Sequence, residues 1–384
     1  MRKLNVLYII QDVTMGGTSN SMLNLIHSVK DTVNPIVLLR EYGPVYEKYK
    51  DEGIETIIIP FPLNLDFLKK NGNFFLYQIT EARQMRGYLK FEHQSVREAL
   101  ALLRERKIDI VHSASSAVTL GFWLSRELKA KHVWHIREFI DLDFGTRPVI
   151  GFSLTKAMIH RADYAIAITK AVFKHWKLDK MNNRSTVLWN AVRSEHEISY
   201  CKDKENYFLF CSAQLTKEKG VFTAIRAFIA SGISKKGYKL KIIGEAQDPA
   251  VRLELSNMLD LLDCRKNIDF LGFQNDVKPY MCKAKGLLMT SFNEAMGRTT
   301  VEAMFYGCPV IGRNSGGTAE IIDNKVNGFL FNTEQECANL IRNLSERTPI
   351  NIINNAFAHV KDNFTEETYG VKIKDIYKKV LALA

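Results

Sequence analysis

Ser291-Phe292-Asn293-Glu294-Ala295-Met296-Gly297-Arg298-Thr299-Thr300-Val301-Glu302-Ala303-Met304-Phe305-Tyr306-Gly307-Cys308-Pro309-Val310-Ile311 is the stretch on which the fold turns. The apolar run before it, 286–290, and the run 309–311 at its end are short and bounded by turn residues, as buried strands are. Between them a polar loop ends at Gly297, a helix begins near Thr299, and Gly307-Cys308-Pro309 stops it. A helix between two strands is the crossover that a parallel pair needs.

The same unit recurs on both sides. In the first half the predicted strands are 5–10, 35–39, 55–59, 108–112, 132–137, 164–168 and 186–188, with helix-period segments such as 19–29 and 95–106 between them. In the second half they are 207–211, 239–243, 268–271, 286–290, 309–311 and 328–331. Strand and helix in repeated order imply parallel sheets covered on both faces. The alternation lapses in the charged stretch 193–206, which is read as the linker of two α/β domains. Ligands of doubly wound sheets sit at the carboxyl ends of the strands, so a cleft between the domains is the expected site.

The bulk numbers agree with this reading. A chain of 384 residues suits about two domains, and 46% hydrophobic residues can fill their cores. The net charge of +11 favours anionic partners without choosing among them. Cys201, Cys211, Cys264, Cys282, Cys308 and Cys337 form no CxxC pair or zinc spacing and are read as reduced core thiols. The apolar run 6–10 reads as a first strand, not a signal peptide, and no run approaches the roughly 18 apolar residues of a spanning helix. These observations point to a cytoplasmic chain, with peripheral attachment to the inner face of the cell membrane left open.

Glu294 and Glu302 bracket the glycine loop and helix start. Gly297 lets the backbone pass close to a ligand, and free amides at a helix start suit a phosphate. Two carboxylates would repel a bare diphosphate, so neutral hydroxyls are their expected partners. On one continuous helix they would lie about 80° and about 12 Å apart, whereas with Glu294 in the loop they can reach opposite ends of one ligand.

This arrangement resembles the E-x7-E signature of retaining glycosyltransferases of the two-domain GT-B type, specifically family 4, the glycosyl transferases group 1. The similarity spans nearly the whole chain. It includes Gly16-Gly17 after the first strand, 215–220, Gly272-Phe273, Ser315-Gly316-Gly317-Thr318-Ala319-Glu320-Ile321 and Asn327-Gly328. The resemblance implies two Rossmann-like domains: 1–195 for the acceptor, 196–365 for the nucleotide-sugar donor, and a helix in 366–384 packing back toward the first. It implies that Glu294 holds hydroxyls of the donor sugar, Glu302 the ribose, and the amides around Met296, Gly297, Arg298 and Thr299 the diphosphate, with Ala295 beside them as a donor-binding residue. Gly16, Gly17, Gly272 and Phe273 join them as donor-binding residues.

Cys211-Ser212-Ala213-Gln214-Leu215-Thr216-Lys217-Glu218-Lys219-Gly220 resembles the family's G-R-L-x-x-x-K-G segment, whose arginine and lysine clamp the diphosphate. Lys219 holds the lysine's place, but Gln214 stands where the family has arginine. A bidentate cation is thereby lost, and Lys217 or Arg298 are the candidates to compensate. Met15-Gly16-Gly17-Thr18-Ser19-Asn20 lacks the third glycine of a dinucleotide fingerprint.

On the acceptor side, the family carries a cleft-facing histidine at the end of a strand equivalent to 132–137. Alternation puts His135 and Arg137 on one face, so either fits the place. His135 is taken as the catalytic histidine because it donates to a sugar hydroxyl near neutral pH. Glu138 is assigned to the acceptor hydroxyl or to orienting that histidine. Asp141-Leu142-Asp143 resembles a DxD metal motif but lies outside the donor domain, and no metal or other cofactor is expected. The aromatic and basic residues of 61–90 suit either an anionic lipid surface or packed rings with solvated cations. No nucleic-acid motif accompanies them.

The expected activity is transfer of a sugar from a nucleoside diphosphate, UDP or GDP first, to a hydroxyl of a glycan, lipid-linked or protein acceptor in surface polysaccharide or glycoconjugate assembly. The anomeric configuration would be retained, with Glu294, Lys219 and His135 at the reaction. The alternatives are a nucleotide-sugar epimerase of the same fold and a weakly active, donor-binding partner subunit.

Overall fold

The structure is a computed structural model that describes residues 2–66, 74–292 and 294–382, with the side chains of 74–78 and of residue 144 outside that description. The chain forms two compact units, Met1–Ala191 with Glu366–Ala384, and Val192–Thr365.

In the first unit seven strands follow in chain order: β1 (Leu4–Ile10), β2 (Val33–Leu39), β3 (Glu55–Ile58), β4 (Ile110–Ser113), β5 (Lys131–Ile136), β6 (Tyr164–Ala167) and β7 (Ser185–Val187). They form one sheet in the order β3-β2-β1-β4-β5-β6-β7, every pair parallel. Successive side chains of a strand point to opposite faces, and β1 shows the consequence. Val6, Tyr8 and Ile10 enter one core, while Leu7 and Ile9 enter another on the reverse face. Helix α1 (Gly17–Val29) covers the first face with Met22, Leu25, Ile26 and Val29. Helices α2 (Phe74–Leu103) and α3 (Leu120–Glu127) cover the second, through Val96, Ala99 and Leu103 and through Leu120 and Leu124.

The second unit carries β8 (Tyr207–Gln214), β9 (Lys239–Glu245), β10 (Ile268–Gly272), β11 (Gly286–Met289), β12 (Val310–Arg313) and β13 (Phe329–Phe331). Its parallel sheet has the order β10-β9-β8-β11-β12-β13. Helix α4 (Arg298–Phe305) follows β11, and the short helix α5 (Gly316–Ile321) follows β12. The last helix, α6 (Glu366–Ala382), belongs to the first unit, where Tyr369, Ile373, Ile376, Tyr377 and Val380 join the core behind α1. The division falls at Ala191/Val192, just ahead of the charged stretch 193–206. There the amide of Val192 donates to the carbonyl of Phe364 at 2.9 Å, and Arg193 bridges to Thr365, which ties the start of that stretch to the second unit.

Helix α2 is longer than the apolar period over 95–106 suggests. Among the described side chains of 79–90 only Tyr88 is buried, so no apolar stripe marks that half in the sequence. Of the aromatic and basic residues noted in 61–90, Phe67, Lys69 and Lys70 lie outside the described residues. Phe61 and Tyr88 are core residues. All six cysteines are free thiols, four of them buried. Among the described residues no helix is long and apolar enough to cross a membrane.

Candidate functional site

In the second sheet the strand order reverses between β8 and β11, the switch point at which a doubly wound sheet opens a crevice at its carboxyl edge. The loop after β8 and the loop after β11 meet there. Gly220 takes φ +79°, and a Cβ on it would lie 2.2 Å from the carbonyl oxygen of Thr290, so only glycine fits. The Thr290 hydroxyl donates to the carbonyl of Gly220 at 2.7 Å, and the amide of Phe292 donates to that of Glu218 at 2.9 Å. These contacts bring Lys219 Nζ to 3.1 Å from Glu294 Oε2, although the two are 75 positions apart in sequence.

Glu294 is also fixed from the other side. Gly316 takes φ +53°, with the position of its missing Cβ 2.6 Å from the carbonyl oxygen of Glu294, and the amide of Gly317 donates to that oxygen at 2.6 Å. The Ser315-Gly316-Gly317 turn thus wedges directly under the loop. Gly297, at φ +87°, is the N-cap of α4 and supplies no side-chain cap, so the positive end of the helix dipole meets the loop. Met296 is buried beneath this loop, and Ala295 and Thr299 are half-buried in it.

Glu302 lies one turn into α4 and is mostly buried. Its Oε1 is 3.2 Å from Arg298 Nε and 3.6 Å from Arg193 Nη2, and Arg298 also donates to the carbonyl of Val192 at 3.1 Å. Arg193 was not legible as a site residue, since it stands in the charged stretch that reads as linker. Its pKa is raised: burial opposes the charge, and Glu302 outweighs it together with Tyr306 and Glu197. Gln214 ends β8, exposed, in register with Glu245. Lys217 pairs with Glu254 at 2.6 Å, and Arg298 is engaged by Glu302. Lys219 is therefore the cation that meets Glu294. Gly272 ends β10 with φ +66° and Phe273 is exposed beyond it, two strands from the switch point.

The first sheet reverses between β1 and β4. At the carboxyl end of β1, Asp12 accepts from the amide of Ser19 at 2.9 Å, and the amide of Gly16 donates to Ser19 Oγ at 2.7 Å. Asp12 thus occupies the start of α1, and burial raises its pKa. The space over Gly17 is open. Asp12 was not singled out in the sequence, although a carboxylate just ahead of a strand-to-helix turn is a capping signal that could have found it.

His135 departs from the expectation of an accessible histidine. It lies inside β5, fully buried, with Nδ1 3.3 Å from His112 Nε2, and His112 Nδ1 is 2.8 Å from the Tyr377 hydroxyl of α6. Burial, then Arg137, holds its pKa well below the ordinary value, so both rings are neutral. Arg137 Nη2 lies 3.2 Å from His135 Nδ1, and a guanidinium only donates, so Nδ1 accepts and Nε2 carries the proton. The residue at the carboxyl end of β5 is Arg137, one position past the strand. It too is buried, and its Nε and Nη1 have no partner among the described residues. Of the two residues that alternation left open, the edge position falls to Arg137.

Glu138 does not orient His135. Its Oε1 accepts from Ser115 Oγ at 2.8 Å and the amide of Ser116 at 2.6 Å, fixing the loop after β4. Burial raises its pKa against these bonds. The carboxylates of Asp141 and Asp143 are spent separately, on His175 at 3.2 Å and on the amide of Phe139 at 2.6 Å.

Residues 192–358 match the family Glycosyl transferases group 1, beginning at the first residue of the second unit. An uncharacterized glycosyltransferase of Methanocaldococcus jannaschii is 25% identical over 324 residues, covering 82% of this chain and 80% of its own length. The N-acetyl-alpha-D-glucosaminyl L-malate synthase of Bacillus anthracis is 22% identical over 293 residues, 71% of this chain and 73% of that protein. Among solved structures, Anabaena HepE in complex with UDP superimposes with a TM-score of 0.80 at 19% identity, covering 98% of this chain and 100% of that one. HepE in complex with UDP-glucose gives 0.74 at 19% identity, with the same coverage. Together with the two parallel-sheet units, these similarities give the chain the GT-B fold and identify its second unit, over residues 192–358, with the glycosyl transferases group 1.

Proposed function

We propose that the chain transfers a hexose-type sugar from a nucleoside diphosphate, UDP foremost, to an acceptor hydroxyl with retention at the anomeric carbon. The observation that carries this reading is the Lys219–Glu294 pair, held at the switch point of the second sheet by the glycine wedge and opposite the uncapped start of α4. In this reading Glu294 orients the sugar hydroxyls, and Lys219 with the α4 amides stabilises charge on the departing diphosphate. Glu302, steadied by Arg193 and Arg298, accepts from the ribose. The acceptor's hydroxyl attacks from the face the diphosphate leaves, and the diphosphate takes its proton, so positioning carries the reaction. No metal is required, since the helix start and Lys219 supply the positive charge. The acceptor is a glycan or lipid-linked hydroxyl, met by groups at the carboxyl edge of the first sheet, and surface polysaccharide assembly is the setting.

A thermal-shift screen with UDP, GDP, ADP and dTDP tests the donor. The favoured nucleotide raises the melting temperature in proportion to RT ln(1 + [L]/Kd), and loss of that shift in Glu302→Ala ties it to this site. A shift that persists in Glu302→Ala, or none with any nucleotide, sinks the assignment.

A further inference from the structure

Helix α2 of the first unit carries a feature that the donor chemistry does not use. At about 100° per residue, Arg83, Arg86, Lys90, His93 and Arg97 fall within an arc of about 80° on its outer side. All five are exposed, whereas Tyr88, Glu92, Ser95, Val96 and Ala99 on the opposite side are buried. The basic row spans about 21 Å at 1.5 Å per residue. No acidic residue enters the arc, and among the described residues none of the five forms an ion pair. Like charges three and four positions apart destabilise a helix, so a face that met only water would gain from alternating signs. This face forgoes that gain.

Large apolar side chains accompany the row. Ile79 lies on its line and Leu89 on its flank, each 48% exposed. Trp123, 43% exposed, stands on α3, which covers the same face of the sheet.

We propose that the outer face of α2 docks on an anionic phospholipid surface, its cations on the headgroups and Ile79, Leu89 and Trp123 in the interfacial layer. A polyanion in water would engage the cations alone, whereas a bilayer interface takes both the charge and the apolar neighbours. The inference stands independently of the donor reading.

The test is flotation of the full chain with phosphatidylcholine vesicles, with and without phosphatidylglycerol. The wild type floats with the anionic vesicles and releases as salt is raised. Each near-surface cation strengthens binding about fivefold, so Arg86→Glu/Lys90→Glu/Arg97→Glu weakens it on the order of a hundredfold or more. Because these positions are exposed, the variant keeps the wild-type melting temperature. Ile79→Ser/Leu89→Ser weakens vesicle binding too, and leaves binding of a single-stranded polynucleotide unchanged. Equal flotation with neutral and anionic vesicles overturns the proposal, as does undiminished binding by the charge-reversed variant. Tighter binding to the polynucleotide than to anionic vesicles, lost in that variant, overturns it in favour of nucleic acid.

Discussion

Replacing Lys219 by alanine separates a catalytic contact from a structural one. The Lys219–Glu294 pair is 3.1 Å long, and the lysine side chain is 41% exposed. Screened by water to that degree, the pair contributes no more than about 1 kcal/mol to stability, equivalent to about 2–4 °C in melting temperature for a unit of this size. The leaving diphosphate asks more of it. Lys217 is held by Glu254, Arg298 by Glu302, and Gln214 carries no charge, so Lys219 has no substitute at the Glu294 end of the site. Removing one preorganised donor from a developing charge costs about 10²–10³ in kcat, about 3–4 kcal/mol. The assay is release of UDP from UDP-sugar with and without acceptor, alongside a thermal melt of the same preparation. The expected outcome is a collapse of kcat with a melt within a few degrees of wild type, and partial recovery in Lys219→Arg. A kcat within about threefold of wild type, less than 1 kcal/mol of barrier, would refute the role given to Lys219.

Gly316→Ala puts a Cβ at φ +53° within 2.6 Å of the Glu294 carbonyl, so it is expected to lower stability by about 2 kcal/mol and weaken the UDP-induced thermal shift, whereas Gly17→Ala, with open space around it, leaves the melt unchanged. Burial pushes the Glu92 carboxyl up to about 7, against the bonds from Thr119 and Tyr88. Because the folded pKa lies above the ordinary carboxylate value, its stabilising contribution is full below about pH 4.5 and is lost as pH rises through about 7, a span of about 3 kcal/mol. Melts from pH 4.5 to 8.5 should show wild type losing stability relative to Glu92→Gln, and parallel curves would count against it. Transfer activity should survive exhaustive EDTA treatment, and loss restored by a divalent cation would contradict the metal-free mechanism.

The two α/β units, the approximate place of each strand and the loop-to-helix start at Gly297 were all legible in the residue order alone. Period and turn chemistry act over a few residues, so Gly297, Gly307 and Pro309 announce their roles wherever the rest of the chain goes. Residue order also exposed the missing guanidinium at Gln214. Tertiary structure decided which side chains meet. Lys219 reaches Glu294 only because β8 and β11 are neighbours in the sheet, and Gly316 must be glycine only because its turn lies under Glu294. Alternation placed His135 and Arg137 on one face without saying where the strand ended. The sheet buries His135 against His112 and Tyr377 and leaves the edge to Arg137. Arg193 read as linker because its partner, Glu302, is more than a hundred positions away along the chain. Such pairings depend on strand order and register, which are settled by how the cores of the whole unit close, and no local pattern records them.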